Sequence, residues 1–318
     1  MQLSSLLQKG FHSANHLLRR ADSIFERRSE FNTPPLFIIG PPRSGTTLTY
    51  QIVTRYFQVG YMTAPLAYSH GLSSMVTRLL RPWIGRPTAT FESGYGNIPG
   101  LLAPSEHVYY WSKWFPEDEN LGHYVPPETV SDEEYADLRR SLHSLASILC
   151  RPWVFKCPYI SISAGALARM IPEARFLVLR RDLLLVCQSA MQGRERFADA
   201  RNWWSVKPPQ YREWFELPVW QQVARQTFYA DAIPRRDLQR YAPDRFVELD
   251  YSELCRQPQT CMKELRTWLQ PLGYETYLDS SIPETFTVSD RVNIEPEQAD
   301  LIRDEFETLQ QQFDAEPA

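Results

Sequence analysis

The segment from residue 35 to residue 48, PLFIIGPPRSGTTL, joins an apolar run to a glycine-containing loop and then to a helix-like stretch. Residues 36–39 are continuously apolar, which is typical of a parallel strand buried on both faces. After the loop, Leu48, Ile52 and Val53 recur at helical spacing. A loop between such a strand and such a helix presents backbone N–H groups and the positive end of the helix dipole. The segment therefore predicts an anion-binding site.

The loop keeps the glycine spacing of the phosphate-binding loop G-x-x-x-x-G-K-S/T but lacks its lysine. Gly40 and Gly45 occupy the two glycine positions, Thr46 stands in the place of the lysine, and the basic residue of the loop is Arg43. In ATP-binding loops the lysine contacts the β- and γ-phosphates. The substitution indicates an anionic ligand other than ATP; the alternative is a glycine- and serine-containing turn that only ends a strand.

A strand–helix–strand pattern follows later in the chain. Residues 153–155 and 176–179 are apolar runs, and residues 162–171 between them are helix-like. The second run delivers Arg181 and Asp182 to the carboxyl end of a strand, where open α/β sheets bind their ligands. The helix that follows carries Ser189.

Together, these segments resemble the sulfotransferases that use 3′-phosphoadenosine 5′-phosphosulfate (PAPS), especially the bacterial and tyrosylprotein branch. The resemblance covers most of residues 35–295. It implies an α/β fold with a P-loop-like central parallel sheet flanked by helices, and insertions that form the acceptor pocket. In the family the first motif holds the 5′-phosphosulfate and the second, R-D-x-x-x-x-x-x-S, holds the 3′-phosphate. The matching residues are Arg43, Ser44, Gly45, Thr46 and Thr47 for the first motif, and Arg181, Asp182 and Ser189 for the second.

The resemblance also implies roles for residues outside the two motifs. Lys156 matches the lysine that contacts the leaving phosphate or the sulfuryl oxygens; the alternative is a surface lysine at a strand end. Ser289 and Arg291 resemble a late loop that closes over the phosphosulfate, although the further lysine of the tyrosylprotein branch is missing after Asn293. Tyr251 matches a tyrosine near the adenosine, and a core tyrosine is an equal alternative. The donor is PAPS, the product is 3′-phosphoadenosine 5′-phosphate (PAP), and the sequence requires no metal.

The general base departs from the tyrosylprotein pattern, which places a glutamate about twenty residues after the loop, because residues 60–65 contain no carboxylate. Glu106 and His107 are the candidates, with His70 third. They follow a glycine- and proline-containing stretch and precede an aromatic run, and either side chain can take up the proton of an acceptor hydroxyl. The competing interpretation is that Ser105 and Glu106 begin a helix.

Composition limits the classes of function. A chain of 318 residues, 43% of them hydrophobic, can bury one large α/β core. Its net charge of -4 and pI near 5.9 argue against nucleic-acid binding, and its five scattered cysteines show no zinc-site spacing.

We expect a single domain over residues 31–318 with insertions at about 65–130 and 197–217, the second a candidate lid. Further helices are expected at residues 132–149, with Ser131 as cap, and at 219–232, 259–269 and 297–313.

The N-terminal 30 residues read as an amphipathic helical segment in which leucine and phenylalanine alternate with lysine and arginine. Such a helix packs on the protein body, on a second copy in a homo-oligomer, or peripherally on an anionic membrane. No stretch reaches the roughly 18 apolar residues of a membrane span, and no signal-peptide core is evident, which favours a cytoplasmic enzyme.

The sequence therefore predicts transfer of a sulfuryl group from PAPS to a hydroxyl of a carbohydrate, lipid or small molecule by in-line attack. Arg43, Lys156 and Ser289 would stabilise charge on the reacting group. Two alternatives stay open. One is a P-loop nucleotide kinase or ATPase, and the other is an inactive module that binds PAP.

Overall fold

The structure, a computed structural model, describes residues 15, 18, 21–26, 33–87, 89–91, 98–106, 108–197, 203–279 and 281–316. Its centre is a five-stranded sheet in the order β2-β3-β1-β4-β5, and each neighbouring pair is parallel. The strands are β1 (Leu36–Ile39), β2 (Gly60–Tyr61), β3 (Trp153–Lys156), β4 (Arg175–Arg180) and β5 (Phe246–Asp250). This is the predicted α/β fold with a central parallel sheet.

Helices cover both faces of the sheet. Between β1 and β3 lie α1 (Thr46–Tyr56), α2 (Ala64–Tyr68), α3 (Ser73–Leu80), α4 (Val108–Trp111) and α5 (Asp132–Leu149). Between β3 and β5 lie α6 (Pro158–Ser161), α7 (Ala164–Met170), α8 (Leu183–Phe197) and α9 (Val219–Tyr241). After β5 come α10 (Tyr251–Arg256), α11 (Pro258–Leu269) and α12 (Pro296–Ala315). Short 3-10 turns occupy His70–Leu72, Pro127–Thr129, Tyr211–Trp214 and Gln270–Leu272.

The three central strands are buried on both faces, as their continuous apolar runs predict. All four residues of β1 are at most 1% exposed. Phe37 of β1 stacks on Phe155 of β3 and Phe176 of β4, with ring centroids 5.3 and 5.8 Å apart, and Trp111 closes the cluster edge-on. The outer strand β5 is only partly buried.

Helix ends show where local signals succeed and fail. Helix α5 begins as expected, with Ser131 accepting a hydrogen bond from the Glu134 N–H while the Glu134 carboxylate accepts one from the Ser131 N–H. The expected end of α9 at residue 232 is wrong, because the helix passes through Pro234 to Tyr241. Proline removes one helical hydrogen bond. The helix nevertheless continues, because Ile233, Pro234 and Leu238 are buried and their packing stabilises the helical conformation. The helix expected at 162–171 is present as α7 (Ala164–Met170), and the short helix α6 before it was not expected.

The described part of the N-terminal segment contacts α3 and the turn before it. Asn15 and Asp22 are 4% and 5% exposed. The Asp22 carboxylate accepts hydrogen bonds from the N–H groups of Ser74 and Met75, both at 2.9 Å, and the Asn15 side chain accepts one from the Gly71 N–H at 2.9 Å. These contacts favour packing on the body. Most of the expected helix lies outside the described residues, and the division at residue 30 stays a prediction.

The carboxyl edge of the sheet collects residues from four adjacent strands. The loop after β1 contains Arg43, β3 ends at Lys156, Arg181 follows β4, and Tyr251 follows β5. Because neighbouring parallel strands end at the same edge, these residues lie side by side. Within the described residues, no helix has both the length and the apolar character needed to cross a membrane.

Candidate active site

The loop between β1 and α1 is a tight turn that only certain residues can form. Gly45 adopts a left-handed backbone with φ of 102°, and a Cβ atom there would overlap the ring of Tyr251, so glycine is required on two counts. Arg43 is also left-handed, with φ of 74°. The Ser44 hydroxyl and N–H both donate to the Pro41 carbonyl, at 2.8 and 3.2 Å, and hold this geometry.

Helix α1 begins at Thr46, immediately after the turn, and its first turn contains no acidic residue. The N–H groups of a first helical turn have no partner within the helix, and the dipole adds positive potential there. Gly45, Thr46, Thr47 and Leu48 line a cleft of about 170 Å³. The cleft therefore has the anion-binding geometry that the sequence predicts.

The two predicted motifs meet at an arginine cluster. The Arg181 guanidinium donates hydrogen bonds to the backbone carbonyls of Arg43 and Ser289, both at 2.7 Å, and lies 4.3 Å from the ring centroid of Tyr251. The Arg43 Nε donates to the Ser189 hydroxyl at 3.0 Å. The Arg181 Nε is buried and has no hydrogen-bond partner within the described protein. A buried donor of this kind suits an anionic ligand.

Lys156 lies on the other side of the loop, at the end of β3, and is 5% exposed. Its Nζ donates to the Thr47 hydroxyl at 3.0 Å and contacts the Glu106 carboxylate. Burial, which disfavours the ammonium, lowers the pKa of Lys156 to about 7, and the positive charge of Arg43 acts in the same direction. The adjacent Glu106 carboxylate favours the charged form. The alternative of a surface lysine is therefore wrong for this position.

The late loop reaches the site through its backbone. Ser289 and Arg291 are exposed, and neither is among the residues that line the cleft. The Ser289 carbonyl accepts from Arg181. Gln188 on α8 donates to the Arg291 carbonyl at 2.7 Å and accepts from the Asn293 N–H at 2.9 Å. Sequence reasoning missed Gln188, because a glutamine on a helix gives no signal of the loop that it holds.

Glu106 stands between the cleft and a second, larger cavity of about 510 Å³, and its side chain borders both. It lies two residues before α4, and its carboxylate contacts Lys156 of β3. His107 lies outside the described residues. His70 borders a different cavity, next to Asn15 and Asp22. Of the base candidates that the structure describes, Glu106 alone lies at the boundary between these two cavities.

The second cavity contains a polar cluster that the sequence did not predict. Lys207 Nζ donates to both carboxylate oxygens of Glu117, at 2.7 and 2.8 Å. The Lys207 backbone N–H donates to Nδ1 of His123 at 2.9 Å, so the proton of the neutral imidazole is on Nε2. Burial lowers the pKa of His123 to about 4, and the ring is therefore uncharged at neutral pH. The aromatic walls are Tyr68, Tyr109, Tyr159 and Trp203.

A model of the sulfotransferase family matches residues 34–271. The chain belongs to this family. The match spans the loop, Lys156, the arginine cluster and Tyr251, which are the residues that the structure brings to one edge of the sheet. A search of curated protein sequences finds no match.

Solved sulfotransferase structures share the fold. The sulfotransferase STF9 from Mycobacterium avium is 16% identical, with a TM-score of 0.51, and the alignment covers 89% of this chain and 77% of that chain. The sulfotransferase STF1 from Mycobacterium tuberculosis is 13% identical, with a TM-score of 0.50, and the alignment covers 94% of this chain and 76% of that chain. At these identities the similarity concerns the fold alone.

In this sulfotransferase the candidate lid separates the two cavities. Trp203 borders the second cavity, Trp204 borders the cleft, and Ser205 borders both. Ser205 has a left-handed backbone with φ of 71°. Gln226 of α9 donates to the carbonyls on either side of it, to Trp204 at 2.8 Å and to Val206 at 2.6 Å. The aromatic composition of the segment indicated a lid, but the glutamine that fixes it could not be identified from the sequence.

Proposed function

We propose that this sulfotransferase transfers the sulfuryl group of PAPS to an acceptor hydroxyl. The observation that carries the proposal is the position of Glu106, which contacts Lys156 and borders both cavities. A base at this place can reach an acceptor in one cavity while the cations of the other hold the donor. PAPS supplies an activated sulfuryl group on a 5′-phosphate and a separate 3′-phosphate that ATP lacks.

The residues of the cleft fit such a donor. We assign the 3′-phosphate to Arg181 and Ser189, because a planar guanidinium and a hydroxyl suit a phosphate and because the buried Arg181 Nε has no protein partner among the described residues. We assign the 5′-phosphosulfate to the start of α1, with Thr46 and Thr47. Arg43 belongs to the loop and donates a hydrogen bond to Ser189. We therefore assign it to stabilise negative charge between the 5′-phosphosulfate and the 3′-phosphate. Tyr251 supports Arg181 and packs on Gly45, and is assigned to the nucleoside side.

In the proposed reaction Glu106 takes the proton of the acceptor hydroxyl. The acceptor oxygen forms a bond to sulfur, the bond between sulfur and the bridging phosphate oxygen breaks, and the products are PAP and a sulfate ester. Lys156, in its charged form, neutralises the charge that develops on the leaving phosphate. The Lys156 contact with Glu106 favours the ammonium form against the effect of burial and holds the carboxylate at the boundary between the cavities.

Binding measurements test the donor assignment. We expect the protein to bind PAP more tightly than 5′-AMP, which lacks the 3′-phosphate, and more tightly than ATP with Mg²⁺, as measured by isothermal titration calorimetry. In Arg181→Ala the preference for PAP over 5′-AMP should fall at least tenfold. Arg303→Ala, which alters an exposed arginine of α12, is the control and should retain the preference.

The same titrations separate the alternatives. Preference for ATP with Mg²⁺ would favour a kinase or ATPase and would contradict the proposal, as would a PAP affinity that is indifferent to Arg181. PAP binding without transfer from [35S]PAPS to any hydroxyl acceptor would favour an inactive binding module. The absence of lysine at Thr46 argues against the first alternative, and Lys156 beside both motifs argues against the second.

A further inference from the structure

The second cavity is large enough for a small organic molecule and is lined by residues from several segments of the chain. Its volume of about 510 Å³ lies within the roughly 300–1,000 Å³ of small-molecule sites. One wall comes from residues 117–123 and a second from residues 203–207, and residues 64–68, 105–106 and 108–109, with Tyr159, complete the lining. These walls are joined by hydrogen bonds from the His123 N–H to the Lys207 carbonyl and from the Gln210 N–H to the Asn120 carbonyl, both at 2.8 Å. These two hydrogen bonds fix the two walls relative to each other.

Glu106, Glu117 and Lys207 are the charged groups among the described lining residues, and Lys156 of the cleft contacts Glu106 from behind the wall. Each carboxylate has its own lysine, since Glu117 is paired with Lys207 and Glu106 with Lys156, and the His123 ring is neutral. An acceptor with a net negative charge would lie against two carboxylates, whereas a cation would compete with lysines already in place. The lining therefore favours a neutral acceptor, because either charged kind would lose hydration without gaining an unpaired counter-charge.

The hydrogen-bonding groups of the cavity are numerous and include both donors and acceptors. The Glu117 oxygens accept, Lys207 Nζ and His123 Nε2 donate, and Ser105 and Ser205 add hydroxyl groups that can do either. A long alkyl chain would displace water from the Glu117–Lys207 pair and would offer these groups no hydrogen bond in return. A molecule with several hydroxyl groups would satisfy them.

Aromatic rings provide the complementary apolar surface. The edge of the His123 ring packs on Tyr159, with centroids 4.5 Å apart, and Trp203 is fixed by a hydrogen bond from its Nε1 to the Val206 carbonyl at 2.8 Å. Tyr109 and Tyr159 line the same cavity. Flat rings beside paired donors and acceptors suit a sugar, whose ring has apolar C–H faces and a rim of hydroxyl groups.

We propose that the second cavity binds a neutral glycoside, with one hydroxyl presented to Glu106 and others bound by Glu117, Lys207 and His123. This inference rests on the proposed function and deepens it by naming the acceptor class. The Glu117–Lys207 pair then determines acceptor specificity and takes no part in binding the donor, since neither residue borders the cleft.

The test measures transfer from [35S]PAPS to a panel of acceptors that differ in charge and polarity. The panel contains two neutral disaccharides (cellobiose and maltose), an anionic sugar (glucuronate), a cationic sugar (glucosamine), a phenol (4-methylphenol) and an alkanol (1-octanol). We expect kcat/KM for a neutral disaccharide to exceed that for each other compound at least tenfold. Glu117→Gln keeps the shape and removes the charge, and should raise KM for the disaccharide at least tenfold while the Kd for PAP changes less than twofold. Saturation-transfer NMR with cellobiose and PAP, without turnover, should show contact in the wild type and its loss in Glu117→Gln.

The matched control is Glu119→Gln, on the same loop, whose side chain is 81% exposed and pairs with Arg212 on the surface; it should behave as the wild type. Transfer to the phenol, the alkanol or a charged sugar in preference to cellobiose and maltose would overturn the inference and leave the proposed function intact. An unchanged KM in Glu117→Gln would also overturn it. Failure to bind PAP would overturn both.

Discussion

Lys156 and Glu106 form a contact whose two members we assign to opposite sides of the reaction, one to the leaving phosphate and one to the acceptor proton. Lys156 is almost fully buried, and 24% of the Glu106 side chain is exposed. Burial works against the charge on Lys156, whereas the carboxylate of Glu106 in contact with it favours that charge. The contact therefore links donor binding to the state of the base, and each residue can be tested by a change that preserves shape.

Glu106→Gln should reduce kcat for sulfuryl transfer about 10²- to 10⁴-fold, the usual contribution of a positioned general base. The amide is isosteric but cannot take up the proton. At pH 6, below the Lys156 pKa of about 7, Lys156 stays charged without Glu106, and the Kd for PAP should stay within threefold of the wild type because Arg181, Ser189 and the start of α1 are unchanged. Single-turnover kinetics and calorimetry measure the two quantities. A variant with wild-type kcat would exclude Glu106 and return His107 as the candidate.

PAP affinity should fall as pH rises from 7 to 9, by up to tenfold per pH unit, because a pKa of about 7 means that Lys156 loses its charge over this range. In Lys156→Arg the guanidinium stays charged, and the decline should disappear. Lys113→Arg, on an exposed lysine paired with Asp137, serves as control and should keep the wild-type decline. Equal profiles for wild type and Lys156→Arg would show that another group governs the pH dependence.

At the scale of elements, the candidate lid is fixed to helix α9 by glutamine side chains. Gln226 holds the carbonyls on either side of Ser205, and Gln222 holds those of Phe215 and Leu217 at 3.2 and 2.7 Å. The buried Arg194 of α8 donates to the Gln222 side chain at 2.7 Å and lies 5.4 Å from the ring centroid of Trp203. The partition between the two cavities therefore depends on α8 and α9 as much as on the lid itself.

Gln226→Met should cost about 1–3 kcal/mol of unfolding free energy, because it leaves two carbonyls without their donor. Hydrogen exchange of the N–H groups in residues 203–217 should accelerate, since the lid loses its attachment. Urea denaturation and exchange measured by mass spectrometry test this. Gln239→Met changes an exposed glutamine of the same helix and should alter neither quantity. A Gln226→Met lid that exchanges at the wild-type rate would contradict this role.

The elements differ in how well the sequence predicts them, for physical reasons. Strands β1 and β4 are apolar runs with sharp ends, so both they and the residues after them were predictable. Strand β2 has two residues, too few for any periodicity. The expected end of α9 was wrong because tertiary packing outweighs one proline. Arg43 and Arg181 could be placed at one edge of the sheet because each lies in a local motif at a strand end. Glu117, His123 and Lys207 meet across 84 to 90 residues of chain and leave no local pattern.

For the whole molecule, one buried carboxylate makes stability depend on pH. Asp237 of α9 is 5% exposed, its Oδ2 has no partner in the described part of the chain, and Gly165 of α7 packs against it, where any Cβ would crowd that oxygen. Burial raises the pKa of Asp237 to about 6, against the opposing effects of Arg236 and a hydrogen bond with Tyr124. The folded state therefore favours the protonated carboxyl.

The sign of the effect follows from proton linkage. Between the ordinary pKa of 3.8 and the raised value of about 6, the folded state binds more protons than the unfolded state, so unfolding free energy falls as pH rises through this window. The loss is complete above pH 7 and amounts to about 3 kcal/mol at most, since one pKa unit corresponds to about 1.4 kcal/mol.

Asp237→Asn stays neutral and should not show this component, so its stability relative to the wild type should increase from pH 4 to pH 7 and then stay constant. Urea denaturation at unit pH intervals measures the difference, with Asp244→Asn, an exposed position just beyond the same helix, as control. A difference between Asp237→Asn and wild type that is constant from pH 4 to pH 8 would mean that the carboxylate is already solvated in the folded protein and that α7 and α9 tolerate its charge.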